Sequence, residues 1–225
     1  MGLDATSRVL DVGSGQGASA VHLTRTIVCQ LVGITLERDG VDGGTALASQ
    51  HGVADLVTFV QGDILDHGSK PELRQQSFDA VLMECVCSIL PDKAAAMRQV
   101  NALLRPGDRL GLTDVTVDGA LPPALQGVLG VVGCVGDALS LQGYRDLAGA
   151  AGLVVEESLD LAETASTFLR NIKGGMLAAE VAVGLGKVQM DRGILDMARP
   201  AVDAASDLVR HGTLGYGMVI ARKPA

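Results

Sequence analysis

The chain has 225 residues, and its 18 Lys and Arg against 26 Asp and Glu give a formal net charge of −8 at pH 7. This length fits one domain, or one domain with an added cap, and a hydrophobic content of 48% excludes a disordered chain. A negative charge without a basic block argues against nucleic acid as the main partner, and three Phe, two Tyr and no Trp are too few for a surface that stacks bases.

Hydropathy and cysteine usage argue against a membrane protein and against secretion. The longest apolar stretches, such as residues 127–135, are far shorter than the ~20 residues of a membrane span. The first residues lack the pattern of a signal sequence. We therefore expect a cytoplasmic protein with no membrane partner, whose cysteines are reduced thiols. The cysteines are Cys29, Cys85, Cys87 and Cys134.

Strands and helices alternate through the first half of the chain. Short apolar runs predict the strands, and apolar residues at helical spacing predict the helices. The alternation predicts βαβ units and a parallel sheet covered by helices on both faces. In chain order, we expect a strand at 8–12, a helix from 18 to about 26, a strand at 31–36, a helix at 41–50, strands at 57–61 and 80–85, a helix at 93–104 stopped by Arg105, Pro106 and Gly107, and a strand at 110–117.

The second half is mostly helical until its end. We expect a helix at 140–151, an extended run at 153–160, a helical region at 163–186, a helix at 191–211 and a last strand at 214–222. Residues 1–225 are interpreted as one domain, in which 163–211 form a helical cap inserted before the last strand. The apolar stripes of this region make a homodimer possible.

A glycine-rich loop joins the first strand to the first helix: Asp11-Val12-Gly13-Ser14-Gly15-Gln16-Gly17. Glycines let a backbone turn sharply and let a ligand approach closely, and a helix N-terminus offers free N–H groups. The same pattern suits the phosphate loop of a dinucleotide fold or a tight turn without a ligand. Asp11 lies two residues before the first glycine, which suits a cationic ligand better than a pyrophosphate.

Acidic residues also follow the next two strands. The second strand ends in Ile34-Thr35-Leu36-Glu37 and the third in Gln61-Gly62-Asp63-Ile64-Leu65. Carboxyl ends of parallel strands share one edge of the sheet, and open α/β sheets bind ligands at that edge. Three successive strand ends therefore predict a polar binding site.

Two further segments complete the set: Ser77-Phe78-Asp79-Ala80-Val81 and the segment from Leu104 to Leu110. Together these motifs resemble class I S-adenosylmethionine-dependent methyltransferases. The resemblance extends from Arg8 to about Leu159 and includes the last strand. The resemblance implies a Rossmann-like, doubly wound α/β fold with a mostly parallel seven-stranded sheet, and S-adenosylmethionine as cofactor. In this family the glycine loop passes the methionine part, the acidic end of the second strand holds the ribose, and the acid after the third strand faces the adenine amino group. The implied cofactor-binding residues are Asp11, Gly13, Ser14, Gly15, Gly17, Thr35, Glu37, Gly62, Asp63, Ile64 and Glu84.

Two departures from the family pattern stand out. Many members have Asp two residues after the glycine of the second strand, where this chain has Thr35. We expect Thr35 to bond the ribose and Glu37, on the same face of an extended strand, to take a second hydroxyl. Family members usually have helices before the first strand that close over the cofactor, whereas seven residues precede it here. Either the chain is trimmed or the lid comes from elsewhere, such as a partner subunit.

Two cysteines follow the fourth strand, at the edge that faces the transferred methyl group in this fold. Cys85 and Cys87 also suit small buried apolar side chains, because free cysteines are often buried. We expect Cys29, between a helix and a strand, to be one of these.

The surroundings of two cysteines resemble arsenite methyltransferases. In those enzymes one substrate-binding Cys lies six residues before the Pro of a Pro-Asp-Lys turn, as Cys85 lies before Pro91. A second lies in a Cys-x-Gly-x-Ala-Leu segment, matched by Cys134 and the five residues after it. The resemblance implies that Cys85 and Cys134 hold trivalent arsenic, since soft metalloids prefer sulfur ligands. A further Cys of those enzymes is replaced by Ala20. Those enzymes often carry a cysteine-bearing C-terminal domain, for which we expect no counterpart here.

The predicted substrate is therefore a small molecule or a metalloid. The same skeleton suits an O-, N- or C-methyltransferase of an organic metabolite, or an inactive cofactor-binding partner subunit. Tyr144 and Asp114 are further candidates to line the pocket, although Asp114 equally suits a capping role at the strand edge. No spacing suggests zinc, and the histidines are expected at surface or packing positions. They are His22, His51, His67 and His211.

Overall fold

The computed structural model describes residues 1–66, 70–125, 134–185 and 192–225. His67, the predicted helix ends at Gly186 and Asp191, and most of the apolar stretch 127–135 lie outside these ranges. The strands are β1 Arg8–Val12, β2 Gln30–Thr35, β3 Val57–Gln61, β4 Phe78–Glu84, β5 Leu104–Val117, β6 Val154–Asp160 and β7 Leu214–Arg222. The longer helices are α1 Ala18–Ile27, α2 Arg38–Gln50, α3 Lys93–Leu103, α4 Leu141–Ala150, α5 Ala162–Gly184 and α6 Arg192–Arg210.

The strands form one sheet in the order β3-β2-β1-β4-β5-β7-β6. Strands β1 to β5 run parallel to one another, and β7 lies between β5 and β6 and is antiparallel to both. This mostly parallel seven-stranded arrangement confirms the predicted Rossmann-like fold class. In the register, Val12 lies opposite both Ile34 and Met83, so the carboxyl ends of β1, β2 and β4 reach the same edge.

Helices cover both faces of the sheet because consecutive strand residues point to opposite sides. Leu10 packs into a core layer with Met97 of α3 and Tyr144 of α4. Its neighbour Val9 packs on the other face with Ala20 of α1 and Ala48 of α2. The pattern agrees with the near-continuous apolar runs that predict a sheet buried on both faces.

Helices α5 and α6 lie between β6 and β7 in the chain. Ala201 and Ala205 of α6 pack with Leu125, Val135 and Leu214 in a third apolar cluster. Helix α5 contains no buried side chain among its described residues, and it is joined to α6 by the ion pairs Arg199–Glu180 and Lys173–Asp203. None of the helices in the described ranges combines the length and the apolar character required to cross a bilayer.

Some element boundaries differ from the predictions. Strand β5 begins at Leu104, six residues before the predicted start, and runs through the residues expected only to stop a helix. The end of the chain explains this extension, because Gly107 N–H donates to the Lys223 carbonyl and Lys223 N–H donates to that of Asp108. Helix α2 begins at Arg38 instead of 41, since the Glu37 carbonyl accepts from the N–H groups of Gly40 and Val41.

Candidate cofactor and acceptor site

The loop after β1 turns through three glycines in the left-handed region, with φ of 75° at Gly13, 49° at Gly15 and 78° at Gly17. A Cβ at Gly13 would lie 2.5 Å from Cγ2 of Val86, and one at Gly17 would overlap the ring of Phe59. A Cβ at Gly15 would meet none of the described atoms within 4 Å. Packing therefore requires the outer glycines, whereas the middle one borders open space that a ligand can enter.

Hydrogen bonds attach this loop to the neighbouring strand. The N–H groups of Gly13 and Ser14 both donate to the Ile34 carbonyl, at 2.9 and 3.0 Å. The Gly17 N–H donates to the Ser14 carbonyl and closes the turn at the start of α1. Two parallel strands thus hold the loop in place at the carboxyl edge of the sheet.

Thr35 and Glu37, which were both predicted to bind the ribose, lie in different environments at the end of β2. Thr35 is buried against α2, where a Cβ at Gly40 would lie 3.0 Å from its methyl group and 2.8 Å from the Gly15 carbonyl oxygen. Glu37 is exposed at the N-cap position of α2, without a capping hydrogen bond from its side chain. The accessible carboxylate at this strand end is therefore that of Glu37.

The end of β3 lies beside that of β2, because the Gly62 N–H donates to the Thr35 carbonyl at 2.9 Å. Asp63 is half-buried, and its Oδ1 accepts the N–H of Leu65 at 2.9 Å. Ile64 is buried and begins a short 3-10 helix. Asp63 is thus held by its own turn at the site edge.

Asp11 is a buried acid inside the sheet. It is 3% exposed, and its Oδ2 has no hydrogen-bond partner among the described residues. Burial, and then the nearby charge of Glu84, raise the pKa of Asp11 to about 7. Glu84 itself is exposed and accepts the hydroxyl of Ser19 from α1. The buried hydroxyl of Ser14 also lacks a described partner.

These features fit S-adenosylmethionine, which carries positive charge on its sulfur and on its amino group. The open space beside Gly15 leaves room for a ligand next to the loop. The unpartnered, buried carboxylate oxygen of Asp11 lies in a low-dielectric setting and favours a nearby cation. The exposed acid at the end of β2 and the half-buried acid at the end of β3 suit hydroxyl and amino groups. The structure brings these predicted cofactor residues to one edge.

Cys85 directly follows β4 and adopts a left-handed backbone, with φ of 51°. Its N–H donates to the Thr113 carbonyl at 2.9 Å. Its Sγ lies 3.2 Å from the hydroxyl of Tyr216, which in turn donates to Oγ1 of Thr113 at 3.2 Å. The residue is half-buried, so part of it remains accessible.

The other cysteines fall into two groups. Cys134 is half-buried, and its Sγ lies 3.9 Å from the backbone oxygen of Cys85, so these two residues are neighbours. Cys87 begins a short 3-10 helix and is fully buried in the core layer that contains Leu10. Cys29 is fully buried in the opposite layer.

Burial raises the pKa of the thiols of Cys85 and Cys134, and raises that of Cys87 to about 12. The charge of Asp114 adds to the rise in each case. At neutral pH the three thiols are therefore protonated. A thiophilic ligand must displace a proton from each sulfur that it binds.

Asp114 and Tyr144 have structural contacts. Asp114 is fully buried, and its carboxylate accepts the N–H groups of Ser88 and Val115. The Tyr144 hydroxyl donates to the Val115 carbonyl at 3.0 Å and accepts from Leu139 N–H, and the residue is 1% exposed. Asp114 therefore caps the turn at Ser88, and Tyr144 belongs to the core rather than to a pocket surface.

Sequence reasoning missed four residues that shape the site. Val86 and Phe59 pack against the glycine loop, and Thr113 and Tyr216 contact Cys85. The chain has two tyrosines, so Tyr216 could have been singled out from the sequence. The pairing of its strand with β5 was not predictable from spacing. Within the described ranges, no group of three or more His, Cys, Asp or Glu side chains is arranged to hold a metal ion.

Comparison with known proteins agrees with this geometry. The sequence pattern of the methyltransferase domain family matches residues 3–138. An arsenite methyltransferase from Aquipseudomonas alcaligenes is 33% identical over 175 residues, which cover 70% of this chain and 49% of that protein. A 27-O-demethylrifamycin SV methyltransferase from Amycolatopsis mediterranei is 26% identical over 99% of this chain and 79% of its own length.

Among solved structures, a protein from Galdieria sulphuraria, provisionally identified as a sarcosine dimethylglycine methyltransferase, superposes with a TM-score of 0.83 at 20% identity. The match covers 98% of this chain and 80% of the other, and it establishes the shared fold. The chain spans about half the length of the arsenite methyltransferase that it matches. Phosphoethanolamine N-methyltransferase 2 from Haemonchus contortus, which shares the fold with a TM-score of 0.77, was solved in complex with S-adenosyl-L-methionine. Together with the family match, this confirms the predicted cofactor. The chain belongs to the methyltransferase domain family.

Proposed function

We propose that the chain transfers a methyl group from S-adenosylmethionine to a small-molecule nucleophile. The observation that carries the proposal is the loop after β1, where two glycines required by packing flank Gly15 beside open space. The unpartnered Oδ2 of buried Asp11 adds an anionic group suited to a cationic ligand. Membership of the methyltransferase domain family supports the same reaction.

In this proposal each strand end holds one part of the cofactor. The loop from Gly13 to Gly17 passes the methionine part, with Asp11 and Glu84 as the acids nearest to its positive charges. Glu37 binds the ribose hydroxyls, because its carboxylate is exposed while Thr35 is buried. Asp63 accepts from the adenine amino group.

The bound cofactor supplies an electrophilic methyl carbon, because its positively charged sulfur is a good leaving group. The acceptor's lone pair forms the new bond to carbon as the carbon–sulfur bond breaks and its electron pair goes to sulfur. The protein has to hold the acceptor in line with that bond, which is a matter of orientation. A soft lone pair needs no general base, and Asp114 is already engaged by two N–H groups.

We propose trivalent arsenic as the acceptor, held by Cys85 and Cys134. The contact of 3.9 Å between Cys134 Sγ and the Cys85 carbonyl places the two residues side by side, and both are half-buried. Soft thiolates are the ligands that a trivalent metalloid prefers. The similarity to an arsenite methyltransferase supports this acceptor.

An organic nucleophile is the second candidate. Two neighbouring thiols, those of Cys85 and Cys134, lie at this edge. Cys87 is buried in the core, and Ala20 occupies the position of a further cysteine of arsenite methyltransferases. The similarity to a rifamycin-type methyltransferase extends over almost the whole chain. An inactive cofactor-binding partner subunit is the third.

Transfer of a labelled methyl group from the cofactor separates these candidates. The purified chain is given arsenite with added thiol, and separately a panel of phenols and amines. We expect methylated arsenic, lost in Cys85→Ser and in Cys134→Ser and kept in Cys29→Ser, while all three variants still bind the cofactor. Turnover of a phenol or an amine without turnover of arsenite would support the organic acceptor. Cofactor binding without any transfer would contradict an enzymatic role.

A further inference from the structure

Three polar atoms lie in a row at the end of β4. Sγ of Cys85 is 3.2 Å from the Tyr216 hydroxyl, which is 3.2 Å from Oγ1 of Thr113. The sheet produces this row, because Thr113 pairs with Met218 and Val115 pairs with Tyr216 in the antiparallel register of β5 and β7. Thr113 and Tyr216 are therefore diagonal neighbours on one face of the sheet.

Thr113 also holds the backbone of Cys85. Its carbonyl accepts the Cys85 N–H at 2.9 Å, while Cys85 keeps a φ of 51° that is uncommon for a residue other than glycine. One residue of β5 thus restrains Cys85 twice, directly at the main chain and through Tyr216 at the thiol. Such restraint fixes where the sulfur stands at the edge of the sheet.

The hydroxyl groups suit both protonation states of the thiol. A neutral Cys85 donates to Tyr216 Oη while Tyr216 donates to Thr113 Oγ1. After Cys85 loses its proton, the Tyr216 hydroxyl can rotate to donate to the sulfur, and the Thr113 hydroxyl can donate to Tyr216. Burial raises the pKa of Tyr216, which keeps its phenol protonated as a donor.

We propose that Tyr216 is a positioning residue for the methyl acceptor: its hydroxyl, anchored on Thr113, holds the Cys85 sulfur at the carboxyl edge of the sheet and stabilises it as a thiolate by a hydrogen bond. The inference rests on the proposed function for the place of the acceptor. Its effect on the thiol can be measured without any methyl transfer.

The test is the pH dependence of Cys85 alkylation by iodoacetamide, followed by mass spectrometry with fragment ions that distinguish Cys85 from Cys87. Tyr216→Phe removes the hydroxyl and keeps the ring, so the thiol pKa should rise and alkylation at pH 8 should slow by up to about tenfold, the equivalent of one pKa unit. Tyr144→Phe is the matched control, because it removes a buried hydroxyl bonded to the Val115 carbonyl. Alkylation of Cys85 should be unchanged in this control.

A second measurement does not depend on the folding of Tyr216→Phe. The chain has two tyrosines, so growth on 3-fluorotyrosine in the Tyr144→Phe background places the more acidic phenol at position 216 alone. A stronger donor should lower the thiol pKa and speed alkylation, which is opposite to the effect of Phe. Equal alkylation profiles for wild type, Tyr216→Phe and the fluorinated protein would overturn the proposal, as would an equal change in Tyr144→Phe.

Enzyme kinetics then connect the thiol to the acceptor. Tyr216→Phe should raise KM for arsenite more than it lowers kcat, with the cofactor Kd unchanged. A shift in alkylation together with an unchanged KM would overturn the role in acceptor binding. A wild-type chain that alkylates as expected but transfers no methyl group would instead contradict the proposed function.

Discussion

Asp63 provides a test of one side chain in the proposed cofactor site. Asp63→Ala should weaken cofactor binding by about 1–3 kcal/mol, the usual effect of losing a hydrogen bond to a charged group. Because Asp63 Oδ1 also accepts the Leu65 N–H, Asp63→Asn is a useful companion that keeps this turn and removes the charge. Calorimetry should show a smaller loss for Asn than for Ala.

The exposed Asp66, in the short 3-10 helix that directly follows Asp63, serves as a control for net charge. Asp66→Ala should leave the cofactor Kd unchanged. A change in the acceptor KM with an unaltered cofactor Kd in Asp63→Ala would place Asp63 in a different site.

Asp11 links binding to pH. Burial raises its pKa from 3.8 to about 7 in the folded protein, so the folded state holds one more proton than the unfolded chain between those values. The free energy of unfolding should therefore fall as pH rises from about 4 to about 7, by about 4 kcal/mol from this group. Asp11→Asn removes that dependence, so denaturation of the two proteins across this range should show the variant gaining stability relative to wild type.

The same titration should affect the cationic cofactor in the opposite direction. The cofactor binds best to ionised Asp11, so the wild-type Kd should increase as pH falls below about 7, and the Kd of Asp11→Asn should vary less. A wild-type Kd that is independent of pH from 5 to 8 would show that Asp11 does not face the cofactor's charge.

At the scale of elements, the glycines of the loop after β1 have different roles: Gly17 is required by packing, and Gly15 leaves access for a ligand. Gly17→Ala should destabilise the fold, because its methyl group would overlap the Phe59 ring. Gly15→Ala should cost about 1–2 kcal/mol for an alanine at positive φ, yet it should abolish most cofactor binding, since its methyl group enters the proposed ligand space. Thermal unfolding measures the loss of stability in each variant, and calorimetry measures its cofactor affinity. Cofactor affinity retained in Gly15→Ala would contradict the proposal that the ligand occupies the space beside Gly15.

Helix α5 presents apolar side chains to solvent. Leu177 and Val181 of α5 and Leu185, the C-cap residue after it, recur every four residues and are 63%, 53% and 66% exposed. We propose that this stripe supports self-association, because uncharged faces let two copies of net charge −8 approach. Leu177→Glu with Val181→Glu should reduce the dimer fraction in sedimentation velocity, whereas Thr164→Glu in the first turn should not. A wild-type chain that is monomeric at every concentration would contradict this; the role of α5 and α6 as a cap remains a prediction.

At the scale of the whole molecule, cofactor binding and folding are coupled. A ligand that binds only the folded state at about 100 times its Kd adds about 2.7 kcal/mol of stability. For a chain of this size that corresponds to a rise in Tm of roughly 5–11 °C. S-adenosylmethionine and its demethylated product should both produce the rise in differential scanning calorimetry, and ATP should not. Absence of a rise at saturating cofactor would contradict the proposed binding site.

Local patterns determined much of this protein. The bounds of β1, β3 and β7 and the start of α3 agree with the predictions, because strand and helix periodicities are properties of neighbouring residues. The alternation of strands and helices also predicted the common edge that carries Gly15, Glu37 and Asp63, since parallel strands joined by short connections end on the same side.

Only the tertiary structure decided which side chains meet there. Antiparallel insertion of β7 beside β5 brings Tyr216 to Cys85 across 131 positions of sequence. Cys85, whose backbone is left-handed, is half-buried, while Cys87, two residues later, is fully buried in the core. Contacts of this kind depend on register and packing between distant segments, and no local period encodes them.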